Sequence, residues 1–451
     1  MGFLERRFGL REAGTTVRTE VAAGATTFVT LSYILFVQPA VLSDPVCGMD
    51  PGGVLFATCV ASAVACFLMA LWANYPIALA PAMGHNFFFV FAVCGGMGFS
   101  WREALAANLL AGLAFLALAG LRLRERVLAA IPPAILHAIG AGIGLLIAFV
   151  GLQWSGIIVG HPAALVQLGD LGEPSVQLAL LGLLVSGALL VRGVPGALLI
   201  GALATAACGA LVFGLVELRG VVGAPPAPSA AFGLDFAALF ARPWSDWLTV
   251  LLIFFALDLF DSVGTLVGVA GQAGLLRGGK LPRARGAFAA DAAGTSLGAL
   301  LGTSTITCYV ESSAGVASGG RTGLTAATTG VLLLAALFFA PLFSSLAGGV
   351  PVALPGGGEA IRQPVLAPAL VLVGALMMRS VREIDWDDRR DGIAAFLTLA
   401  TMMLTLSISD GIAAGFLAYA GLSLLGGRAR EASLGVYVLA GLFLLRYLLL
   451  P

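Results

Sequence analysis

Three carboxylates interrupt segments of the chain that are otherwise strongly apolar. Asp258 and Asp261 lie in LLIFFALDLFDSVGTLVGV, where their i, i+3 spacing places both side chains on one face of a helix. Glu311 follows a β-branched run in GTSTITCYVESSAGVASGG, at a point where a short helix would begin. Carboxylates close together in an apolar environment repel each other when all are ionised, so at least one should carry a proton. This pattern favours a site that couples proton binding to the binding of a solute.

The alternative interpretation gives these acids a structural role, as caps of short helices or as partners of a buried Lys or Arg. Apart from Arg321, few basic residues are close to them in sequence. Two further acids receive only structural interpretations. Asp291, in AADAAGTSLG, is predicted to be a helix-contact or capping residue, and Asp410 lies near a break in a later segment.

A second candidate region, PIALAPAMGHN at residues 76–86, has two prolines and a glycine where a helix needs continuous hydrogen bonding. Asn86 offers both a donor and an acceptor to a planar heterocycle, and His85 stands beside it. Three phenylalanines follow, beginning with Phe87, and one of these rings could stack on a ligand. The structural alternative is a hydrogen-bonded histidine, with phenylalanines that contact lipid or the protein core.

The composition identifies the elements that must position these residues. Of 451 residues, 59% are hydrophobic and 11% are charged, whereas soluble domains carry about 25% charged residues. The 24 basic and 24 acidic residues balance, which excludes the net positive field of a nucleic-acid binder. The six cysteines form no CxxC pair and there is no HExxH motif, so we predict no metal site, cofactor or disulfide framework. The remaining class is a polytopic protein of the lipid bilayer.

Fourteen apolar segments are predicted to cross the membrane, where a spanning helix needs about 20 residues. They lie at residues 22–42, 54–73, 77–98, 101–121, 135–152, 176–191, 195–216, 247–270, 286–303, 304–319, 322–347, 364–379, 391–427 and 433–450. The stretch 391–427 is too long for one span and is interrupted at Ser409-Asp410-Gly411. It is either one broken element or two short helices.

Basic residues in short loops predict the orientation of the chain. They cluster before the first segment and after the fourth, eighth and twelfth: Arg6, Arg7, Arg11, Arg18, Arg122, Arg124, Arg126, Arg277, Lys280, Arg283, Arg285, Arg379, Arg382, Arg389 and Arg390. All these loops fall on the side of the N-terminus, which we predict to face the cytoplasm of a bacterial inner membrane. Arg428 and Arg430 are an exception if 391–427 is a single span.

The two broken segments are the third and the tenth, seven segments apart. Each is predicted to form a short extended stretch that leads into a half-helix, buried in protein or lining a cavity. Interrupted segments at matching positions of two halves are typical of transporter binding sites. An odd number of spans in each half makes the two repeats inverted.

Three stretches carry a family resemblance: TTVRTEVAAGATTFVTLSYILFVQP, LDLFDSVGTLVGVAGQAGLL and DAAGTSLGALLGTSTITCYVESSAGVASGGRTGLTA. Through them, nearly the whole chain resembles the nucleobase–cation symporter family, in its hypoxanthine/adenine/guanine permease (AzgA-like) branch. The resemblance implies an all-α membrane fold with 14 segments in two inverted repeats. It also implies a core domain at 1–126 and 217–347, and a gate domain at 127–216 and 348–451.

The same resemblance implies roles for the candidate residues. Asp258 and Glu311 look like the acids that contact the substrate, and Asp261 looks like a second acid that takes part in proton coupling with them. Gly84 and Asn86 match the glycine and the asparagine of the third-segment motif.

The chain departs from the branch at the third segment, where Pro-Gly-Met-Gly-Leu-Asn-Ala is usual and residues 81–87 read PAMGHNF. His85 and Phe87 therefore join the predicted substrate-binding residues, since they could shrink the pocket or change which base fits. Gln38 also stands where asparagine is common, and Ser262 replaces a usual threonine.

The sequence thus predicts a transporter rather than an enzyme. It would import a purine nucleobase (hypoxanthine, guanine, adenine or xanthine) by proton symport, through movement of the core against the gate, and a homodimer is compatible with this prediction. The alternatives are a carrier of the same fold for another nucleobase or a small anion and, less favoured, a polytopic membrane enzyme. An anion carrier should place a cationic residue at the breaks, where this chain has His85, Asn86 and Glu311.

Overall fold

The protein is represented by a computed structural model that describes residues 2–121, 132–275, 281–353 and 359–449. Within these ranges, eight helices are long and apolar enough to cross a membrane. Five of the predicted basic loop residues lie outside the described residues: Arg122, Arg124, Arg126, Arg277 and Lys280. The predicted domain boundary at 126/127 also lies outside them.

The described chain is mostly helical. Its helices are α1 (Phe3–Phe8), α2 (Val17–Leu31), α3 (Ile34–Leu42), α4 (Pro51–Leu68), α5 (Met83–Phe87), α6 (Trp101–Leu121), α7 (Pro133–Trp154), α8 (Pro174–Val191), α9 (Ala197–Leu211), α10 (Phe236–Ala241), α11 (Trp244–Gln272), α12 (Ala284–Leu301), α13 (Ser312–Ala317), α14 (Gly323–Ala336), α15 (Ala340–Leu346), α16 (Ala367–Met377), α17 (Arg389–Thr405), α18 (Ile408–Leu425) and α19 (Leu434–Leu449). Wider π-helical turns continue α4 through Met69–Ala73 and α5 through Phe88–Gly96. The strands are β1 (Leu79–Pro81), β2 (Ile158–His161), β3 (Leu165–Leu168), β4 (Ile306–Cys308), β5 (Val350–Ala353) and β6 (Glu359–Arg362).

The helices pack into two bundles. The core bundle contains α2–α6 and α11–α15, and the gate bundle contains α7–α9 and α16–α19. Helices make most of their contacts within their own bundle, and α5 is one of the few core elements that touches α7 of the gate bundle.

Several helices begin earlier than the apolar pattern predicts, because polar residues cap them. The second segment is predicted from residue 54, yet α4 starts at Pro51, where Asp50 accepts a 2.7 Å hydrogen bond from the amide of Gly53. The first segment is predicted from residue 22, yet α2 starts at Val17 after the cap Thr16. An apolar window omits such polar first turns, although they belong to the helix.

Residues 391–427 form two helices, α17 and α18, joined at Leu406 in the left-handed region (φ +52°) and Ser407. Arg428 Nη1 lies 2.7 Å from Asp388 Oδ2, so the end of α18 returns to the start of α17. This hydrogen bond also lowers the pKa of the Asp388 carboxyl. Arg428 therefore lies at the same end as Arg389, and the exception to the predicted orientation disappears.

The division of 391–427 also changes the count of apolar segments. With residues 391–427 counted as the two helices α17 and α18, the described residues contain fifteen apolar segments instead of the fourteen predicted. The last of these is α19.

The third and tenth segments form the predicted extended stretches. β1 and β4 pair antiparallel, with Leu79 opposite Cys308 and Pro81 opposite Ile306. Beyond the ladder, Ala82 N donates to the carbonyl oxygen of Thr305 at 3.0 Å and Tyr309 N donates to that of Ala78 at 2.9 Å. Extended backbone is tolerated inside a membrane protein when its polar groups are satisfied in this way. Antiparallel pairing is also the arrangement expected of two inverted halves.

A buried carboxylate joins the first segment to the eleventh. Glu20 of α2 is fully buried and accepts hydrogen bonds at the start of α14 from Arg321 N (2.9 Å), Thr322 N (3.2 Å) and Thr325 Oγ1 (2.6 Å). A negative charge at a helix N-terminus also interacts favourably with the helix dipole. The sequence interpretation did not single out Glu20, although it lies inside one of the family-like stretches.

We expect Glu20→Ala to destabilise the fold because it leaves several buried donors of α14 without an acceptor. Removal of one partner of a buried charged hydrogen-bond group costs about 3 kcal/mol. The thermal unfolding midpoint of purified protein in detergent should fall clearly below that of wild type. Glu12→Ala, at an exposed position near the N-terminus, is the control, and equal midpoints for the two variants would contradict this role.

Candidate functional site

Glu311 lies at the start of the tenth-segment half-helix, as its place after the β-branched run predicts. It directly precedes α13, and its side chain makes no capping hydrogen bond to that helix. The hydroxyl of Tyr33 donates to Glu311 Oε1 at 2.7 Å. Glu311 is half-buried, and its neighbour Val310 is 62% exposed. This end of the strand pair is thus accessible from an open face of the protein.

Asp258 and Asp261 both lie on α11, but their surroundings differ. Asp261 is exposed, and the hydroxyl of Thr307, the central residue of β4, donates to its Oδ2 at 3.2 Å. Asp258 is 1% exposed; Thr295 Oγ1 lies 3.0 Å from its Oδ2, and its Oδ1 has no hydrogen-bond partner among the described residues. Asp261 is therefore open to a solute, whereas Asp258 is enclosed behind it.

Asp291 of α12 adds a third carboxylate to this pair. It is fully buried; Ser262 Oγ donates to its Oδ2, and Cys308 Sγ lies 3.6 Å from its Oδ1. Ser262 keeps the hydroxyl of the usual threonine, so this departure preserves the bond. The sequence interpretation gave Asp291 only a structural role, although an acid within an apolar segment is itself a signal of function. The three acids lie against β4, with Asp258 and Asp291 enclosed and Asp261 exposed.

The other end of the strand pair carries an amide network. Ser304 Oγ donates to Asn86 Oδ1, and Gln38 Nε2 donates to Thr303 Oγ1 at 2.9 Å and to Ser304 Oγ at 3.0 Å. Asn86 is fully buried, and its Nδ2 has no partner among the described residues. Gln38 was singled out in the sequence only as a departure from the family. The network ties the first and third segments to the tenth.

The remaining predicted residues of the third segment are buried against the protein. His85 is 3% exposed, and its Nε2 has no partner in the described part of the chain. Phe87 is 1% exposed and stacks on Phe91, with ring centroids 5.6 Å apart. Gly84 faces the gate bundle, where a Cβ atom would lie 2.8 Å from Cγ2 of Ile143. These residues lie where the core bundle meets α7.

The predicted site residues thus form a row along one strand pair. Glu311 and Tyr33 lie at one end, Asn86 and its hydroxyl partners at the other, and Asp261 lies beside the central residue of β4. The arrangement offers charged acceptors, an amide donor and enclosed acids that can bind protons. Such a set suits a polar, planar solute bearing N–H groups.

Comparison with known proteins gives one family. The model of the Permease family (Xan_ur_permease) matches residues 18–414. The chain is 43% identical to "Guanine/hypoxanthine permease PbuG" of Bacillus subtilis, over 98% of this chain and 99% of that protein. It is 40% identical to "Adenine permease AdeQ" of Escherichia coli, over 99% and 97% of the two chains. Among solved structures, the transmembrane domain of the cyanobacterial bicarbonate transporter BicA matches this chain with a TM-score of 0.62 and 16% sequence identity. The match covers 88% of this chain and 97% of that one, and it shows a shared fold.

Proposed function

The chain belongs to the Permease family (Xan_ur_permease), and from this premise we propose that it imports purine nucleobases across the bacterial inner membrane by proton symport. Relatives at 40% identity or more are named for guanine and hypoxanthine and for adenine, so a purine is the favoured solute. The protein is a multi-pass membrane transporter rather than an enzyme. The N-terminus is proposed to lie in the cytoplasm, on the side of the basic loops.

The observation that carries this proposal is the Glu311 carboxylate, which accepts a hydrogen bond from Tyr33 at an accessible half-helix start. A purine is flat and bears N–H groups along its edge. A carboxylate accepts such N–H groups in short, charge-assisted hydrogen bonds. A small anion is disfavoured at the same place, because Glu311 and Asp261 would repel it.

The different burial of the acids suggests a division of roles. The family resemblance implies that Asp258 contacts the substrate and Asp261 couples protons. Because Asp261 is exposed beside Thr307 and Asp258 is enclosed, we assign the substrate side to Glu311 and Asp261, and proton storage to Asp258 with Asp291. We also assign Gly84, His85, Asn86 and Phe87 of the third segment to the substrate side.

Transport is proposed to proceed by movement of the core bundle against the gate bundle, with domains at 1–126 and 217–347 and at 127–216 and 348–451. A cavity of about 640 Å³ separates the bundles away from the predicted cytoplasmic side, with Leu35 and Pro39 of α3 facing Trp154 of α7. Such a gap gives the bundles room to rearrange. Alternating access then carries the site from one face to the other.

Close packing between Gly84 and Ile143 yields a test of this movement. In Gly84→Ala, the new methyl group would lie 2.8 Å from Cγ2 and 3.1 Å from Cδ1 of Ile143. Overpacking of this kind costs about 1–3 kcal/mol, and when that cost is added to the barrier for movement of the bundles we expect initial uptake velocity to fall about 10-fold. The double variant Gly84→Ala/Ile143→Ala should recover most of the lost velocity, since the clash is removed. A double variant no faster than Gly84→Ala would contradict a steric origin.

The function itself is tested by uptake into proteoliposomes. Radiolabelled hypoxanthine, guanine, adenine, xanthine, uracil and bicarbonate are supplied with and without an inward proton gradient. We expect accumulation of one or more purines that collapses when a protonophore is added. Uptake of only uracil or only bicarbonate would favour the alternative carriers. Purine accumulation that does not change with the proton gradient would contradict the proposed proton coupling.

A further inference from the structure

The break in the first membrane segment turns one aromatic side chain toward the tenth. α2 ends at Leu31 and α3 begins at Ile34, with Tyr33 between them and only 2% exposed. Its hydroxyl donates to Glu311 Oε1 at 2.7 Å, although the two residues are 278 positions apart in sequence. Tyr33 is thus the side chain through which the first segment reaches the carboxylate of the site.

We propose that Tyr33 is a positioning residue that holds the Glu311 carboxylate in its substrate-accepting orientation; this inference rests on the proposed function. Ser, Thr, Asp or Asn directly before a helix commonly turns its side-chain oxygen back onto the first amides of that helix. Glu311 makes no such bond to α13, so its own helix does not fix the side chain. The hydroxyl of Tyr33 supplies the constraint instead, and a carboxylate held in place loses less conformational entropy when a ligand binds.

A second tyrosine fixes the backbone beside the same carboxylate. The hydroxyl of Tyr309 donates to the carbonyl oxygen of Pro81 at 2.7 Å, which attaches the end of β4 to the third segment. Backbone and side chain of this half-helix start are therefore held by different residues. Loss of the Tyr33 hydroxyl should free the carboxylate while the strand pair stays in place.

The test is Tyr33→Phe, which removes one hydroxyl and keeps the ring. Binding of hypoxanthine and guanine to purified, lipid-reconstituted protein is measured by calorimetry, and KM and maximal velocity are measured by uptake. Loss of a hydrogen bond to a charged group should raise Kd and KM about 10-fold, with maximal velocity changed less than about 2-fold. Tyr75→Phe is the matched control: Tyr75 is also a buried tyrosine, and its hydroxyl has no partner among the described residues.

The role also predicts non-additivity with Glu311→Gln. If Tyr33 acts through the carboxylate, Tyr33→Phe should weaken binding no further in the Glu311→Gln protein. Two results would overturn the role of Tyr33 and leave the proposed function intact. The first is equal purine binding by wild type and Tyr33→Phe, and the second is a fully additive loss of binding in the double variant. Wild-type protein that binds no purine overturns both proposals. Thermal midpoints of Tyr33→Phe and Tyr75→Phe should agree, which shows that the difference in binding does not come from unfolding.

Discussion

Glu311→Gln is expected to abolish proton-driven purine accumulation while the protein still folds and inserts into the membrane. The amide has the same shape as the carboxylate but loses its charge and one acceptor oxygen. Hydrogen bonds to charged groups contribute about 1.5–3 kcal/mol, so purine binding should weaken by about 10–150-fold. Uptake at purine concentrations below KM should fall with it, because less of the protein then carries a bound purine. Calorimetry and proteoliposome uptake measure the two effects separately.

The matched control for this variant is Glu217→Gln, which makes the same change at an exposed loop position. Its uptake should equal that of wild type. Size-exclusion profile and thermal midpoint of Glu311→Gln should also remain close to wild type, because the amide has the same shape as the carboxylate and the position is only half-buried. Normal purine accumulation by Glu311→Gln would remove the central claim of the proposed function.

Asp258→Asn is expected to separate binding from accumulation. Asp258 is enclosed and accepts a hydrogen bond from the hydroxyl of Thr295, so its neutralisation should change purine affinity less than about 3-fold. Concentrative uptake should be lost, because the enclosed acids can no longer take up and release the coupled proton. Proton uptake accompanying purine addition, followed with a pH-sensitive dye, should disappear in the same variant.

Two further substitutions on the same helix give this experiment its controls. Asp261→Asn, at the exposed site, should raise the KM for purines. Asp246→Asn changes an acid in the first turn of α11, about 18 Å from Asp258 along the helix, and should leave both binding and accumulation unchanged. If Asp258→Asn loses binding and Asp261→Asn keeps it, the roles implied by the family resemblance are correct and our assignment is wrong.

Much of the fold could be predicted because charged residues and prolines are conspicuous in an apolar chain. The breaks at residues 76–86 and 302–320 mark extended stretches because β-branched and proline residues disfavour a continuous helix there. Glu311 is found at the half-helix start for the same reason. The membrane environment makes such signals strong, since every exception to an apolar segment has a high energetic cost.

Other features depend on contacts between residues far apart in sequence. The spacing of Asp258 and Asp261 places them on one helix face, but only the packing of α12 and β4 decides which is enclosed. The helix break before Tyr33 has no glycine or proline at its position, so no local pattern marks it. The turn at Leu406, a non-glycine residue with positive φ, is likewise held by the packing of α17 on α18.

The hydrogen-bonding groups of the site all come from a single bundle. Tyr33, Asn86, Asp261 and Glu311 belong to the core, so under the proposed alternating access a core that moves against the gate carries the site without taking it apart. A carrier of this kind has no built-in direction. Under the proposed proton symport, the combined gradients of proton and purine set whether purine flows inward or outward. We therefore expect that in a cell whose membrane is de-energised the same protein becomes a route by which purines leak out.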